Sequence, residues 1–176
     1  QVRDAVENAR AAGFENVSLD LIYGLPAQTR EDWADTLMRA VLLAPEHVSG
    51  YGLKLEEGTE LYKYRGTELI PDDDTQADMY LYMVDFLASN GYAQYEISNF
   101  AQRGRESRHN MKYWLLGDYA GFGASAASLM GGTRYSFTDD VEKYISSALS
   151  GEPLVKELEE TGLRERSAEY IMLGMR

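Results

Sequence analysis

Cysteine is absent from all 176 residues. That excludes disulfides, zinc–thiolate sites, thiolate-held iron–sulfur clusters and thiol nucleophiles on this chain, and it fits a reducing, cytoplasmic setting. Histidine is nearly absent, with only His47 and His109. Two histidines far apart make no zinc set, and neither an HExxH helix nor a Ser-His-Asp order occurs. No apolar run approaches the roughly 20 residues of a membrane-spanning helix. Positive charge is scarce as well: 17 basic residues face 29 acidic ones, for a net charge of −12. Such a surface repels nucleic acid and anionic membranes, so neither is an expected partner.

What is present supports a folded core, since 44% of the residues are apolar. Val2, Ala5, Val6 and Ala9 share a helical face that Gly13 ends. Residues 16–24 read as a strand with both faces mostly buried, broken by Gly24-Leu25-Pro26. Thr29 and Asp32 have the spacing of a capping box before the helical stripe Trp33, Leu37, Ala40, Val41 and Ala44. Strands are predicted over 47–56 and 92–97, with a long helix from about Asp74 to Asn90 between them. Alternating helices and strands of this kind build a parallel sheet with ligands at the strand C-termini.

After Phe100 the texture changes. A basic stretch, 103–108, leads into HNMKYW, then into the glycine-rich YAGFGASAAS. Gly131-Gly132 reads as a hairpin turn. A helix near 139–149, a strand near 154–159 and a helix from about 163 follow. Three segments result: 1–101, 102–162 and 163–176. The chain starts and stops inside helical patterns, so it is expected to be a piece of a longer protein, with an exposed sheet edge that favours self-association.

Few side chains stand out. Asp20 sits in an apolar strand before a break. It either pairs locally or receives a ligand's hydroxyl or ammonium groups. His109 follows Arg103, Arg105 and Arg108 and precedes Tyr113 and Trp114. Guanidinium groups grip carboxylates, aromatic rings pack on flat ligands and imidazole ligates iron. A porphyrin with its carboxylate arms matches all three, and so does a solvated loop followed by a buried aromatic corner. GFGASAAS lacks phosphate-loop spacing and reads as close backbone packing. Glu96 has no visible partner for a catalytic dyad. Glu56 and Glu57 read as a solvated turn, and His47 as the start of a strand.

Five stretches together resemble the oxygen-independent coproporphyrinogen III oxidase-like proteins of the radical S-adenosylmethionine group, and within them the haem-chaperone branch. They are SLDLIYGLPAQT (18–29), PEHVSGYGLKLEEGT (45–59), YEISNFA (95–101), SRHNMKYW (107–114) and YAGFGASAAS (119–128). The resemblance implies an α/β fold: the second half of an incomplete (β/α) barrel with mostly parallel strands, followed by an α+β extension and the start of a helical domain. It implies S-adenosylmethionine and a 4Fe–4S cluster in the intact protein, with Asp20 and Ile22 against S-adenosylmethionine. It also implies haem at the HNxxYW motif, with His109 as candidate iron ligand and Arg108, Tyr113 and Trp114 around the porphyrin. A haem-acceptor protein is the implied partner. Without cysteine this chain cannot itself hold the cluster or cleave S-adenosylmethionine. Ser107 and Ala127 stand where many relatives have cysteine and histidine. The alternatives are the porphyrin-forming oxidase itself and an interaction module that binds no cofactor.

Overall fold

Each side chain in a strand faces opposite to its neighbours, and this rule organises the first part of the chain. The computed structural model describes residues 1–175, so Arg176, the end of the last predicted segment, lies outside the described residues. The chain divides into two compact units, residues 1–106 and residues 107 onward.

The first unit contains α1 (Val2–Ala11), β1 (Ser18–Tyr23), α2 (Arg30–Leu42), β2 (His47–Gly52), a 3₁₀ turn (Glu60–Tyr64), α3 (Asp73–Ser89), β3 (Ala93–Gln94) and β4 (Asn99–Ala101). The predicted capping box forms: the Thr29 hydroxyl accepts from the Asp32 amide, and the Asp32 carboxylate accepts from the Thr29 amide. Asp72 caps α3, its carboxylate accepting from the Thr75 amide at 2.8 Å.

The sheet order is β1-β2-β4-β3. β1 and β2 are parallel, and β2–β4 and β4–β3 are antiparallel. Of the strand predicted over 92–97 only β3 forms, and β4 begins beyond that span, at Asn99. A bend at 95–98 reverses the chain, because the Glu96 carboxylate accepts from the Ser98 amide at 2.7 Å and from the Asn99 side chain.

Val48 pairs with Phe100, and both are fully buried against α2 and α3 with Trp33, Leu37, Met79, Met83 and Leu87. The Trp33 indole N–H donates to the Met79 carbonyl at 3.0 Å, satisfying the one polar atom that this ring carries into the core. Gly50 lies on the same side, where an added Cβ would overlap Met83.

The opposite face carries Ser18, Asp20 and Ile22 from β1, paired with His47, Ser49 and Tyr51 of β2. Burial of both faces of β1 is not observed, since none of its residues is fully buried. β1 is an edge strand whose second face is uncovered. Beside it, α1 is held by Arg10, whose guanidinium donates to both Glu46 carboxylate oxygens at 2.9 and 2.8 Å. Burial pushes the Glu46 carboxyl up, but hydrogen bonds from the Val17 amide and Arg10 outweigh it and hold the group below the ordinary range.

The second unit contains α4 (Arg108–Trp114), β5 (Ala127–Met130), β6 (Thr133–Phe137), α5 (Val141–Ser150), β7 (Val155–Glu160) and α6 (Leu163–Gly174). Its sheet is antiparallel, in the order β5-β6-β7. Gly131 and Gly132 both take positive φ, +58° and +85°, and make the predicted hairpin turn. Arg134 of β6 donates to both oxygens of Glu169 on α6 at 2.9 Å, fixing that helix to the sheet. In the glycine-rich stretch the close-packing reading holds at Gly121, where a Cβ would overlap the Ala127 backbone carbonyl, and not at Gly123, which has open space around it and a φ of +109°.

Two predictions follow from this packing. Gly121→Ala forces backbone apart and should destabilise the second unit by about 1–3 kcal/mol, measured by denaturant unfolding; an unchanged midpoint would contradict the overlap. The second prediction concerns His47, buried in β2 with both ring nitrogens engaged, Nδ1 to the Ser18 hydroxyl at 2.8 Å and Nε2 to the Tyr95 hydroxyl at 2.6 Å. Burial holds its pKa below the ordinary 6.5, against the opposing charges of Asp20 and Glu96. The unfolded chain takes up a proton near that ordinary value while the folded chain does not. This contribution is therefore complete above about pH 6.5 and is lost as pH falls through the folded value. Melting temperature should drop between about pH 7.5 and pH 5.5, and His47→Gln should flatten part of that drop; an identical slope in the variant would refute the assignment.

Candidate functional site

Each unit presents one group of polar side chains. In the first unit the group lies on the sheet face turned away from α2 and α3. Asp20 is exposed, so its carboxylate incurs no burial cost and needs no local partner; of the two roles open from sequence, the ligand-facing one fits the geometry. Ile22, two residues on, is 46% exposed on the same face, and Tyr51 opposite it is 39% exposed. An acceptor-only carboxylate beside an apolar wall suits a ligand carrying hydroxyl or ammonium donors and a flat ring. These residues fit a nucleoside such as that of S-adenosylmethionine.

Towards the start of the same strands lies the chain Ser18–His47–Tyr95. Burial holds its imidazole pKa below the ordinary value, and its ring packs edge-on to Tyr95 with centroids 5.6 Å apart. Glu96 and Asn99 are buried next in line. The Asn99 amide is oriented by the acceptor-only Glu96, which leaves Asn99 Oδ1 buried without a hydrogen-bond partner among the described residues. Sequence reading placed His47 correctly at the start of a strand but missed this network. The signal was available: Ser18 and Asp20 share a face by alternation, and a parallel register puts His47 opposite Ser18.

In the second unit the group stands on α4. Ser107 caps this helix, accepting from the Asn110 amide at 3.3 Å. One helical turn separates His109 from Tyr113, so their side chains meet on one face. The Tyr113 hydroxyl lies 3.0 Å from His109 Nε2, and the rings cross at 82° with centroids 5.0 Å apart. Tyr119 also packs edge-on against Tyr113, with centroids 4.5 Å apart. Tyr119 reaches this place because its backbone pairs with Leu129 of β5 at 2.8 and 2.9 Å. No local pattern in the sequence marks it.

His109 and Tyr113 are exposed, as is Arg108, while Trp114 is half-buried. The structure thus brings together His109 and Tyr113 out of the four predicted haem residues, and it keeps Arg108 on the same short helix. Asp20 and Ile22 belong to the other unit. An exposed imidazole and phenol on one turn, backed by a second ring, supply a nitrogen or oxygen donor and an aromatic surface. That donor set fits haem iron. It does not fit a 4Fe–4S cluster, whose thiolate ligands this chain lacks altogether, and among the described residues no group of three or more His, Cys, Asp or Glu could hold a metal ion. A groove of about 450 Å³ also runs along α6, lined by Leu115, Leu163, Arg166, Tyr170 and Ile171 among others. It is open and mostly apolar, and none of the predicted site residues lines it.

No family model matches the chain. Curated relatives do. The haem chaperone HemW of Lactococcus lactis is 41% identical over 180 residues, covering 100% of this chain and 46% of its own length. HemW of Bacillus subtilis is 40% identical over 173 residues, covering 97% of this chain and 45% of its own. The mouse mitochondrial radical S-adenosyl methionine domain-containing protein 1 is 44% identical over 112 residues, 62% of this chain and 25% of its own. Among solved structures, Escherichia coli coproporphyrinogen III oxidase, HemN, a radical S-adenosylmethionine enzyme, superposes with a TM-score of 0.82 over 99% of this chain and 43% of its own; at 21% identity this is a likeness of fold. The chain spans less than half the length of the haem chaperones it matches. With an α/β fold matching a radical S-adenosylmethionine enzyme and with chaperone relatives along its whole length, the chain belongs to the oxygen-independent coproporphyrinogen III oxidase-like radical S-adenosylmethionine family, in its HemW branch.

Proposed function

We propose that this chain contributes two binding surfaces to a haem-binding protein: a sheet face for S-adenosylmethionine in the first unit and an α4 site for haem in the second. The observation that carries the haem reading is the exposed His109–Tyr113 pair inside HNMKYW, braced by Tyr119. Arg108 carries a guanidinium on the same helix, suited to a propionate. Haem is the cargo here, and an acceptor protein would take it up.

The chaperone reading is favoured over porphyrin synthesis by the relatives. Several HemW proteins match at 37–41% identity along nearly the whole chain, whereas the oxidase matches in fold alone. In the first unit, Asp20 accepts hydrogen bonds from the ligand's donors and Ile22 packs against it. S-adenosylmethionine bound there would supply a reactive sulfonium. The cluster would be held by thiolates from outside the residues of this chain. No helix among the described residues is long and apolar enough to cross a membrane.

Titration of the chain with haem tests the reading. A saturable shift of the haem Soret band is expected, with a Kd of about 1 μM or tighter, and the double variant His109→Ala/Tyr113→Phe should lose it. Equal binding by the double variant would place haem elsewhere on the chain, whereas no saturable shift and no change in melting temperature at saturating haem would favour an interaction module without cofactor. In the cluster-bearing protein, Asp20→Ala should weaken S-adenosylmethionine binding by about tenfold in calorimetry, the cost of one charged hydrogen-bond acceptor. Unchanged affinity would remove Asp20 from the site.

A further inference from the structure

We infer that the polar sheet face of the first unit holds a second binding position, formed by Ser49, Asn99 and Glu96, that takes the ammonium group of a primary amine. It lies beside the surface proposed for S-adenosylmethionine and makes no use of the Asp20 carboxylate. The two registers of β2 define it. Ser49 pairs with Asp20 on one side and with Asn99 on the other, so the three side chains form a row across β1, β2 and β4. Neighbouring strands lie about 4.8 Å apart, which puts Asn99 about 10 Å from Asp20. Asp20 is the open end of the row. Ser49 and Asn99 are the closed end, each 3% exposed, with Glu96 beside them at 4%.

The closed end lacks a donor. The Asn99 side-chain amide donates to the Glu96 carboxylate, and Glu96 also accepts from the Ser98 amide at 2.7 Å. Asn99 Oδ1 is buried with no hydrogen-bond partner among the described residues. Turning the amide over would not help, because its oxygen would then face a carboxylate, which only accepts. The orphaned oxygen is therefore built into the arrangement, and a buried carbonyl left in that state weakens the fold. The one imidazole on this face is committed elsewhere, to Ser18 and Tyr95, and no lysine or arginine stands in β1, β2, β3 or β4.

An ammonium group supplies what is missing. It is compact, carries three N–H donors and brings positive charge to a buried carboxylate. Tyr51, two residues beyond Ser49 on the same face and 39% exposed, offers its ring to the amine's apolar body. A quaternary ammonium has the charge but no N–H. An alcohol has a donor but no charge. Both should be rejected by a position built from acceptors.

The test is calorimetric titration of the full chain with n-butylammonium chloride at constant ionic strength, beside n-butanol and butyltrimethylammonium chloride. The primary amine should bind at one site with a Kd of about 1 mM, and the two analogues at least about tenfold more weakly. Asn99→Leu should raise the Kd for n-butylammonium by at least about tenfold, the loss of one hydrogen bond to a charged group. Ser49→Ala, a smaller change that leaves the Asn99–Glu96 contact in place, should raise it severalfold. Asp20→Ala should leave it within about threefold, since a charge about 10 Å away is largely screened. Equal binding of butyltrimethylammonium would reduce the effect to general attraction by an acidic chain and overturn the inference. So would unchanged affinity in both Asn99→Leu and Ser49→Ala, loss of binding in Asp20→Ala alone, or no saturable binding by the wild type. None of these results decides the S-adenosylmethionine reading, which stands or falls on its own calorimetry with Asp20→Ala.

Discussion

The hydrogen bond between Tyr113 and His109 is the contact on which the account of the second unit depends. It exists because a helix places residues four apart on one face, and because Ser107 starts that helix at the right residue. The contact changes how the HNxxYW motif is understood. In sequence the histidine draws attention as the only obvious metal ligand. In the structure its outward nitrogen is already engaged, and the aromatic residues that look like a packing surface include the group holding it. Tyr119, from outside the motif, adds a second ring against Tyr113.

The first unit follows from a different constraint. Period-two alternation and the parallel β1–β2 register divide its side chains between two faces. One face is dry, with Val48, Phe100 and the Gly50 backbone pressed on α2 and α3. The other is polar and graded along the strands. At the strand starts the Ser18–His47–Tyr95 chain is closed, with the imidazole pKa lowered by burial. Further on, Asp20, Ile22 and Tyr51 are open. Closed hydrogen-bonded groups fix geometry, whereas open acceptors beside apolar walls receive ligands, and the sheet provides both on one surface.

Much of this was legible in the sequence where a local rule governs. The Thr29–Asp32 cap, the Gly131-Gly132 hairpin, the start of β2 at His47 and the close packing at Gly121 each depend on a few neighbouring residues. The misses came from non-local facts. Burial on both faces of β1 was inferred from its apolar composition, yet burial depends on what covers a face, and Asp20 is exposed. The strand over 92–97 looked continuous because Glu96 is not by itself a turn residue; the chain bends there because its buried carboxylate collects the Ser98 amide and the Asn99 side chain. Tyr95 and Tyr119 gained roles only through partners distant in sequence, namely His47 and Leu129. Relatives at about 40% identity supplied what neither alternation nor capping could, the family to which the chain belongs.

The central claim is that haem is held on α4 by the phenol–imidazole pair rather than in the apolar groove along α6. A crystal structure of the ferric-haem complex tests it most directly. The account predicts the porphyrin against α4, with its iron bonded to the His109 imidazole or the Tyr113 oxygen. Iron bonded to neither residue, with the porphyrin lying along α6 beside Arg166, would contradict it.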